Sequence, residues 1–419
     1  MSHDSKLPAG LDRHALAFIA AAAGILMITM GMRQSLGLFI APIIDSTHVG
    51  YAAMSFAMAV GQLMWGVAQP TFGALADRFG AWRALLAGAF MMAAGAALTP
   101  FAGNEFTLIL TIGVLTAAGA GAGSFGVLIG QVAQRVPADR RSVASGMVNA
   151  GGSLGQSVFA PLYDFLIKSI SWMGAMWVMA AAALATIPLA RSLARSTAGK
   201  SDAAARAGHG APGAVTTLSM REQLAVAARD KSYWCLHAGF FTCGFHIAFL
   251  VTHLPGEVKL CALPTTVAST ALSIIGFANV AGSLWAGWAG GVMRMKYLLF
   301  GNYLSRALII AIYLAAPKTA VTFYLFAAAL GFTWLATVPP TAGLIGKLFG
   351  VRYLATLFGL TTFTHQVGAF FGAWLGGIAL VKFGDYSWMW YADMALATLA
   401  AFVNLPIREA KLRPVLAPA

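Results

Sequence analysis

The sequence predicts an all-α, polytopic membrane protein of twelve spanning helices in two pseudo-symmetric six-helix bundles. Three observations carry this. Of the 419 residues, 59% are hydrophobic and only 10% charged, and the mean hydropathy is +0.75, well beyond what a soluble domain needs. The apolar residues gather in runs of about 20, the length that crosses a hydrocarbon core of about 30 Å at about 1.5 Å per residue. The most polar stretch, 191–231, rich in Ala, Gly, Ser, Arg and Lys, divides the runs into two equal groups.

The first group comprises 15–40, 51–75, 82–100, 106–133, 142–167 and 172–190, here α1–α6. The second comprises 232–254, 265–290, 296–315, 320–346, 353–381 and 387–406, here α7–α12. The first run is too long for a signal-peptide core and no small-residue cleavage pattern closes it, so it is read as a spanning helix. The central stretch opens with connector-like composition. It continues with Ser219-Met-Arg-Glu222, a capping box that predicts a short amphipathic helix on the membrane face. Asp230 is placed to cap α7. The expected organisation is an N-terminal bundle over 1–190, a cytoplasmic linker over 191–231 and a C-terminal bundle over 232–419.

The net charge of +13 is a topology signal, because no stretch joins basic residues to a soluble fold that would hold nucleic acid. Arg78, Arg83, Arg135, Arg140 and Arg141 lie in loops on the side of the termini, with Arg191, Arg195, Lys200, Arg206, Arg221, Arg229 and Lys231 in the linker. Arg294, Lys296, Lys347, Arg352, Arg408, Lys411 and Arg413 fall on that side too, against Lys168, Lys259, Lys318 and Lys382 opposite. The bias predicts cytoplasmic termini; the expected location is a bacterial inner membrane. Cys235, Cys243 and Cys261 imply no disulfide framework and are read as packing residues. No soluble catalytic or sensory domain, nucleophile–base pair or nucleotide-binding domain is visible, which argues against an enzyme, a receptor and an ATP-driven pump.

The stretch Gly73-Ala-Leu-Ala-Asp-Arg-Phe-Gly-Ala-Trp-Arg83 lies between α2 and α3 and is read as a short loop. Gly73 and Gly80 permit a tight reversal, and Asp77 suits a neighbouring helix N-terminus or a basic loop residue. Arg78 and Arg83 sit at headgroup depth. It resembles the loop 2–3 signature of the major facilitator superfamily, matching at positions 73, 75, 76, 77, 78 and 80, with Ala81 and Trp82 replacing the usual basic pair. The resemblance covers essentially the whole chain. It implies a substrate site near the midplane between two halves, alternating access and a monomer; no cofactor is expected, and no carboxylate or Cys trio joins His246 and His253 to complete a metal site. It also implies gating by Gly73, Asp77, Arg78 and Gly80, with Asp77 bridging to Arg135 or Arg140. In the second half, Gly287-Trp-Ala-Gly-Gly-Val-Met-Arg-Met-Lys296 occupies the equivalent place without the acid.

Charge inside a spanning helix is costly and therefore informative. Arg33, in Gly31-Met-Arg-Gln-Ser-Leu-Gly-Leu-Phe39, lies beyond the middle of α1. It either snorkels to the interface or lines the cavity with Gln34 and Ser35. A cavity arginine without a carboxylate partner calls for an anionic ligand. This helix is similar to that of the monocarboxylate transporters and oxalate–formate antiporters, which places a basic residue at this position. In α8 their Asp/Asn-x-x-x-Arg element aligns with Asn279-Val-Ala-Gly-Ser283, so the acid is Asn and the arginine is Ser. The candidate substrate-binding set is Arg33, Gln34, Gln131, His246, Asn279, Ser283, Thr337, His365 and Gln366.

Arg306 in α9 and Asp393 in α12 lie at compatible depth, and are read as a structural ion pair or, for Asp393, as a coupling site. His246 and His365 sit mid-helix and are read as proton carriers or packing residues, and His237 and His253 as structural. Gln62, Gln69, Asn149, Gln156, Trp65 and Trp334 are further cavity or packing candidates. The leading reading is a transporter of a small organic anion, a monocarboxylate, carried with protons, since a proton bound with an anion makes the load neutral. The alternative is a proton-driven exporter of drug-like molecules, which prefers an acid in α1 or α4.

Overall fold

The computed structural model describes residues 13–133, 141–195, 219–350 and 354–409, and all regular structure among them is helical. Helix α1 runs over Ala15–Thr47, α2 over Tyr51–Phe79, α3 over Ala81–Leu98 and α4 over Glu105–Leu128. The next apolar segment, Gly146–Leu193, has 48 residues, about 72 Å of helix and too long for one crossing. It breaks at Ile170 and Ser171, where Ser171 takes a φ of 68°, giving α5 (141–169) and α6 (172–195). The second half contains α7 (Lys231–Leu260), α8 (Thr265–Val292), α9 (Met295–Ala315), α10 (Ala320–Phe349), α11 (Leu354–Phe383) and α12 (Ser387–Asn404). Ten described segments are long and apolar enough to span. Dividing the longest at Ser171 and adding α12, whose apolarity Asp393 lowers, reaches the expected twelve.

The predicted capping box is formed: Ser219 N donates to Glu222 Oε2 at 2.7 Å and Glu222 N to Ser219 Oγ at 3.4 Å, opening the linker helix Met220–Arg229. The Glu222 carboxyl is held below the usual carboxylate range by the Ser219 amide. Asp230 Oδ1 accepts from Ser232 N at 2.7 Å, as expected of an α7 cap. The connector residues 196–218 lie outside the described residues. The reading of 73–83 as a loop is corrected, because Gly73 to Phe79 continue α2. Ala, Leu, Asp and Arg there contain no breaker. The reversal is made by Gly80 alone, at φ 88° and ψ 143°, a conformation a side chain forbids.

Three spans are discontinuous. In α1 the helix tightens to a 3₁₀ turn over Leu36–Phe39; Gly37 there packs against the Val251 and Thr252 carbonyls of α7, leaving no room for a β-carbon. In α4 a π-helical stretch covers Ile109–Thr116, and a turn follows at Gly123 and Ser124. In α10 the helix Ala320–Thr333 stops, and a second helix, Val338–Phe349, begins on Pro339 and Pro340. Their missing N–H groups cannot continue the first ladder.

Within the first half α1 packs on α5, with Gly151 and Gly155 against the Ala23 and Met27 carbonyls. Within the second, α7 packs on α11, with Gly244 against the His365 carbonyl and Gly368 and Gly372 against those of Phe241 and Phe245. Such glycine-lined contacts let backbones approach where no hydrophobic effect separates helix from lipid. The halves meet along α2–α11 and α5–α8, a pair that an exchange of halves would interchange. Helix α7 is the central element: 83% of its most apolar window is buried, against 39% for the α5–α6 segment. Large apolar side chains such as Phe90, Phe106, Trp288, Ile312 and Leu399 remain exposed on the outside of the bundle, as a lipid-facing surface requires.

Candidate functional site

Two polar centres occupy the interior. The first surrounds Arg33. Its Nη2 donates to Gln62 Oε1 of α2, and its guanidinium lies 4.2 Å from the centroid of the Trp65 ring. The arginine lines a small cavity with Leu36, Met58, Gln62, Ile112, Val251 and Thr252, drawn from α1, α2, α4 and α7. Among the described residues no carboxylate pairs with Arg33. Arg33 therefore lies in the interior and does not snorkel to the interface. Gln34, beside it, is buried and its Oε1 has no hydrogen-bond donor among the described residues. The spacing of Gln62 and Trp65, three residues apart on one face of α2, is the sequence signal for this contact.

The second centre is enclosed by the second half. His246 Nδ1 is 2.5 Å from Asp393 Oδ2, and both side chains are fully buried. The expected Arg306–Asp393 ion pair is corrected: Arg306 Nη2 instead donates to the carbonyls of Thr333 and Trp334, at 2.6 and 3.1 Å. The physical reason is the break in α10. Its turn leaves those two carbonyls without helical donors, and an arginine from α9 satisfies both. Arg306 Nε and Nη1, His246 Nε2 and Asp393 Oδ1 have no partner among the described residues. Trp334 links the two groups, since its ring is edge-on to His246 at 5.8 Å while its carbonyl accepts from Arg306. Thr337 and Cys243 complete this wall, 3.6 Å apart.

Other residues expected to bind substrate are placed differently. Asn279 bridges the halves: its Nδ2 donates to Ser153 Oγ of α5 at 2.9 Å, and its Oδ1 accepts from Leu335 N at 3.0 Å and Ser283 Oγ at 3.2 Å. The amide is thus consumed by the α5–α8 seam and the α10 break, and Ser283 is consumed by Asn279. Gln366 is fully buried against Gly66 of α2, and its Nε2 lies 2.9 Å from His365 Nδ1. His365 is half-buried and stacks edgewise on Phe240. Gln131 is half-buried in the helix Phe125–Ala133 that continues α4. His237 meets Thr364 Oγ1 at 2.6 Å, a packing role as expected.

The sequence reading passed over two contacts near the ends of the spans. On the face opposite the termini, Tyr51 of α2 joins His253 Nδ1 of α7 at 3.1 Å and Tyr386 Oη at 2.7 Å, tying the halves together. On the linker side, Glu409 accepts from the Met295 and Lys296 amides at 3.1 and 3.3 Å and from Lys347 Nζ at 2.7 Å. Burial pushes the Glu409 carboxyl up, but Lys347 and the two amides outweigh it and hold the group below its ordinary range. It thereby supplies a carboxylate at the α8–α9 reversal, where the second copy of the loop signature has none. Of the expected gating residues, Gly73 and Gly80 are described, whereas the side chains of Asp77 and Arg78, and Arg135 and Arg140 altogether, lie outside the described residues.

The chain is 26% identical over 386 residues to monocarboxylate transporter 13 of Bos taurus, covering 90% of this chain and 86% of the relative. It is 23% identical over 390 residues to the oxalate:formate antiporter of Oxalobacter formigenes, covering 92% and 88%. The crystal structure of a D-xylose-proton symporter superposes with a TM-score of 0.70 at 15% identity, over 94% of this chain and 97% of the other, a likeness of fold. The sequence profile of the Major Facilitator Superfamily matches residues 19–373. With that span covering both halves, the chain belongs to the Major Facilitator Superfamily, a family of multi-pass membrane transporters and not of enzymes.

Proposed function

We propose that this transporter moves a small organic anion, a monocarboxylate, together with protons, by alternating access of its two halves. The observation that carries the reading is Arg33, a cation facing an internal cavity with Gln62 as its hydrogen-bond acceptor and, among the described residues, no carboxylate to neutralise it. Taking an ionised group out of water costs several kcal/mol unless a counter-charge arrives. An anionic ligand supplies that charge, and two charge-assisted hydrogen bonds from one guanidinium fix its orientation. The apolar walls, Leu36, Met58, Ile112 and Val251, suit the short hydrocarbon part of such a molecule. The names of the relatives, one a monocarboxylate transporter and one an oxalate:formate antiporter, favour the same class.

In this scheme Gln34, Gln131 and Thr337 contribute polar contacts as the cavity opens, and Asn279, Ser283, His365 and Gln366 shape its second-half wall. His246 and Asp393 form the proton site, since a buried histidine–carboxylate pair changes net charge by one on binding a proton. Helices 1–190 and 232–419 would move as two units about the 191–231 linker, with the termini on the cytoplasmic side of a bacterial inner membrane and the chain acting as a monomer. Asp77, beside Arg78, would bridge to Arg135 or Arg140 at the cytoplasmic side and hold the outward-open state.

The test is uptake of labelled carboxylates by proteoliposomes, with and without an inward proton gradient, for the wild type and Arg33→Ala. Gradient-driven uptake lost in Arg33→Ala is the expected result. Movement of cationic dyes in place of carboxylates, indifferent to Arg33→Ala, would replace the reading with a proton-driven exporter.

A further inference from the structure

We propose that Arg306 is a positioning residue that passes the protonation state of the His246–Asp393 pair to the break in α10. The inference rests on the proton-coupled reading above and deepens it. It starts from unused valences. Arg306 spends Nη2 on the Thr333 and Trp334 carbonyls and, among the described residues, leaves Nε and Nη1 without acceptors. Asp393 spends Oδ2 on His246 and leaves Oδ1 without a donor among the described residues. A free pair of donors and a free acceptor of opposite charge thus lie in one buried core, where an unmade hydrogen bond of a charged group is costly. Both side chains are fully buried, so water at the surface cannot relieve either.

The groups that can hold charge around this core are few. Helix α7 brings Cys243 and His246, α9 brings Tyr303 and Arg306, α11 brings His365, and α12 brings Asp393. Helix α10 brings the backbone of Thr333 and Trp334 and the hydroxyl of Thr337. With His246 Nδ1–H donating to Asp393 Oδ2, the bare Nε2 is where a proton adds. The pair then passes from a net charge of −1 to 0. In the protonated form nothing draws Arg306 from the α10 carbonyls, which is the arrangement described here. In the deprotonated form the free Asp393 Oδ1 attracts the Arg306 Nε and Nη1 edge, and the guanidinium turns from α10 towards α12. The Thr333 carbonyl then loses its donor, the Trp334 carbonyl keeps only the Cys243 thiol at 4.0 Å, and the break relaxes. The ion pair anticipated from depth alone is, on this view, the partner conformation of the arginine.

The measurement needs no substrate. Spin labels are placed at the linker-side ends of α4 and α10 in a background carrying Cys235→Ser and Cys261→Ser. Distance distributions are recorded in nanodiscs at about pH 5.5 and about pH 8, the range a histidine site reads. The wild type is expected to shift its conformer ratio between the two by about fivefold or more, the low end of site-to-site coupling. Arg306→Lys, which keeps the charge but loses the fork, is expected to abolish most of that shift. Asp393→Asn, nearly isosteric, is expected to lock the distribution in its acid form at both values. A wild-type ratio that ignores pH, or variants that respond as the wild type does, would overturn the proposal. Should Arg306→Lys not fold, Asp393→Asn alone decides. Carboxylate uptake is assayed alongside. Its absence in a wild type that still shows the pH response would remove the anion reading and leave this coupling standing.

Discussion

Replacing Asn279 by alanine should loosen the seam between the halves and the break in α10 at once. The asparagine makes three hydrogen bonds, to Ser153 Oγ, to Ser283 Oγ and to the Leu335 amide. Their costs differ. Leu335 N–H sits in the turn of α10, and its loss of an acceptor leaves a backbone donor unsatisfied, at about 1–3 kcal/mol. The two serine bonds are interhelical or intrahelical side-chain contacts of about 0.6 kcal/mol each. Ser153 has a fallback, because its hydroxyl already reaches the Asn149 carbonyl at 3.4 Å. The sum is about 2–4 kcal/mol. Ser283→Ala, which removes one bond and orphans no amide, should cost about 0.6 kcal/mol. Steric-trapping equilibria in bicelles measure both. A loss for Asn279→Ala within about 0.5 kcal/mol of zero, the scale of neutral surface changes, would refute the assignment of the Leu335 amide to this side chain.

Three further predictions concern other parts of the fold. Glu409 has its carboxyl lowered in the folded state, so its contribution to stability is present above the unfolded value and disappears as pH falls through the lowered one. The thermal-midpoint difference between wild type and Glu409→Gln should therefore be constant near neutrality and close below about pH 4. Tyr51→Phe should raise the labelling rate of engineered cysteines lining the cavity by a reagent added from the face opposite the termini, because Tyr51 is the hydroxyl that joins α2 to both His253 and Tyr386; an unchanged rate would show that the contact does not hold that side shut. Gly244→Val should cost about 1–3 kcal/mol or more by overpacking, since a β-carbon there meets the His365 carbonyl. Its thermal midpoint should fall further than that of Gly301→Val, where nothing lies within contact range.

Much of the architecture was legible because the bilayer imposes it. Run length, the polar interval at 191–231 and the loop signature each reflect a constraint on sequence that does not depend on which helices touch. Arg33 was legible for the same reason, as a charge where charge is expensive. The capping box at Ser219 and Glu222 acts over three residues, so it was legible locally. Pairings over long separations were not. His246 and Asp393 are 147 positions apart, and depth along each helix left Arg306 an equally good partner for Asp393. What decides between them is the break in α10, whose freed carbonyls claim the arginine. Pro339 and Pro340 announce that break, yet apolarity on both sides masks it in a reading by run length. Asn279 was legible only in part, because similarity to a family's substrate element singles it out while the hydrogen bonds that make it a brace lie at long separations.

The contact among Tyr51, His253 and Tyr386 has an internal direction. His253 Nε2 is 2.7 Å from the Ala373 carbonyl, which only accepts, so that nitrogen carries the hydrogen and Nδ1 in the neutral ring is bare. Tyr51 must then give its one hydrogen to Nδ1, and Tyr386 must give its own to Tyr51. The three groups form a queue in which every hydrogen points the same way. Adding a proton to His253 would turn the queue around without shortening it: Nδ1–H would donate to Tyr51, and Tyr51 to Tyr386. Acidity on that side of the membrane thus leaves the number of bonds unchanged and reverses only their direction, so the contact can register a proton without losing a bond.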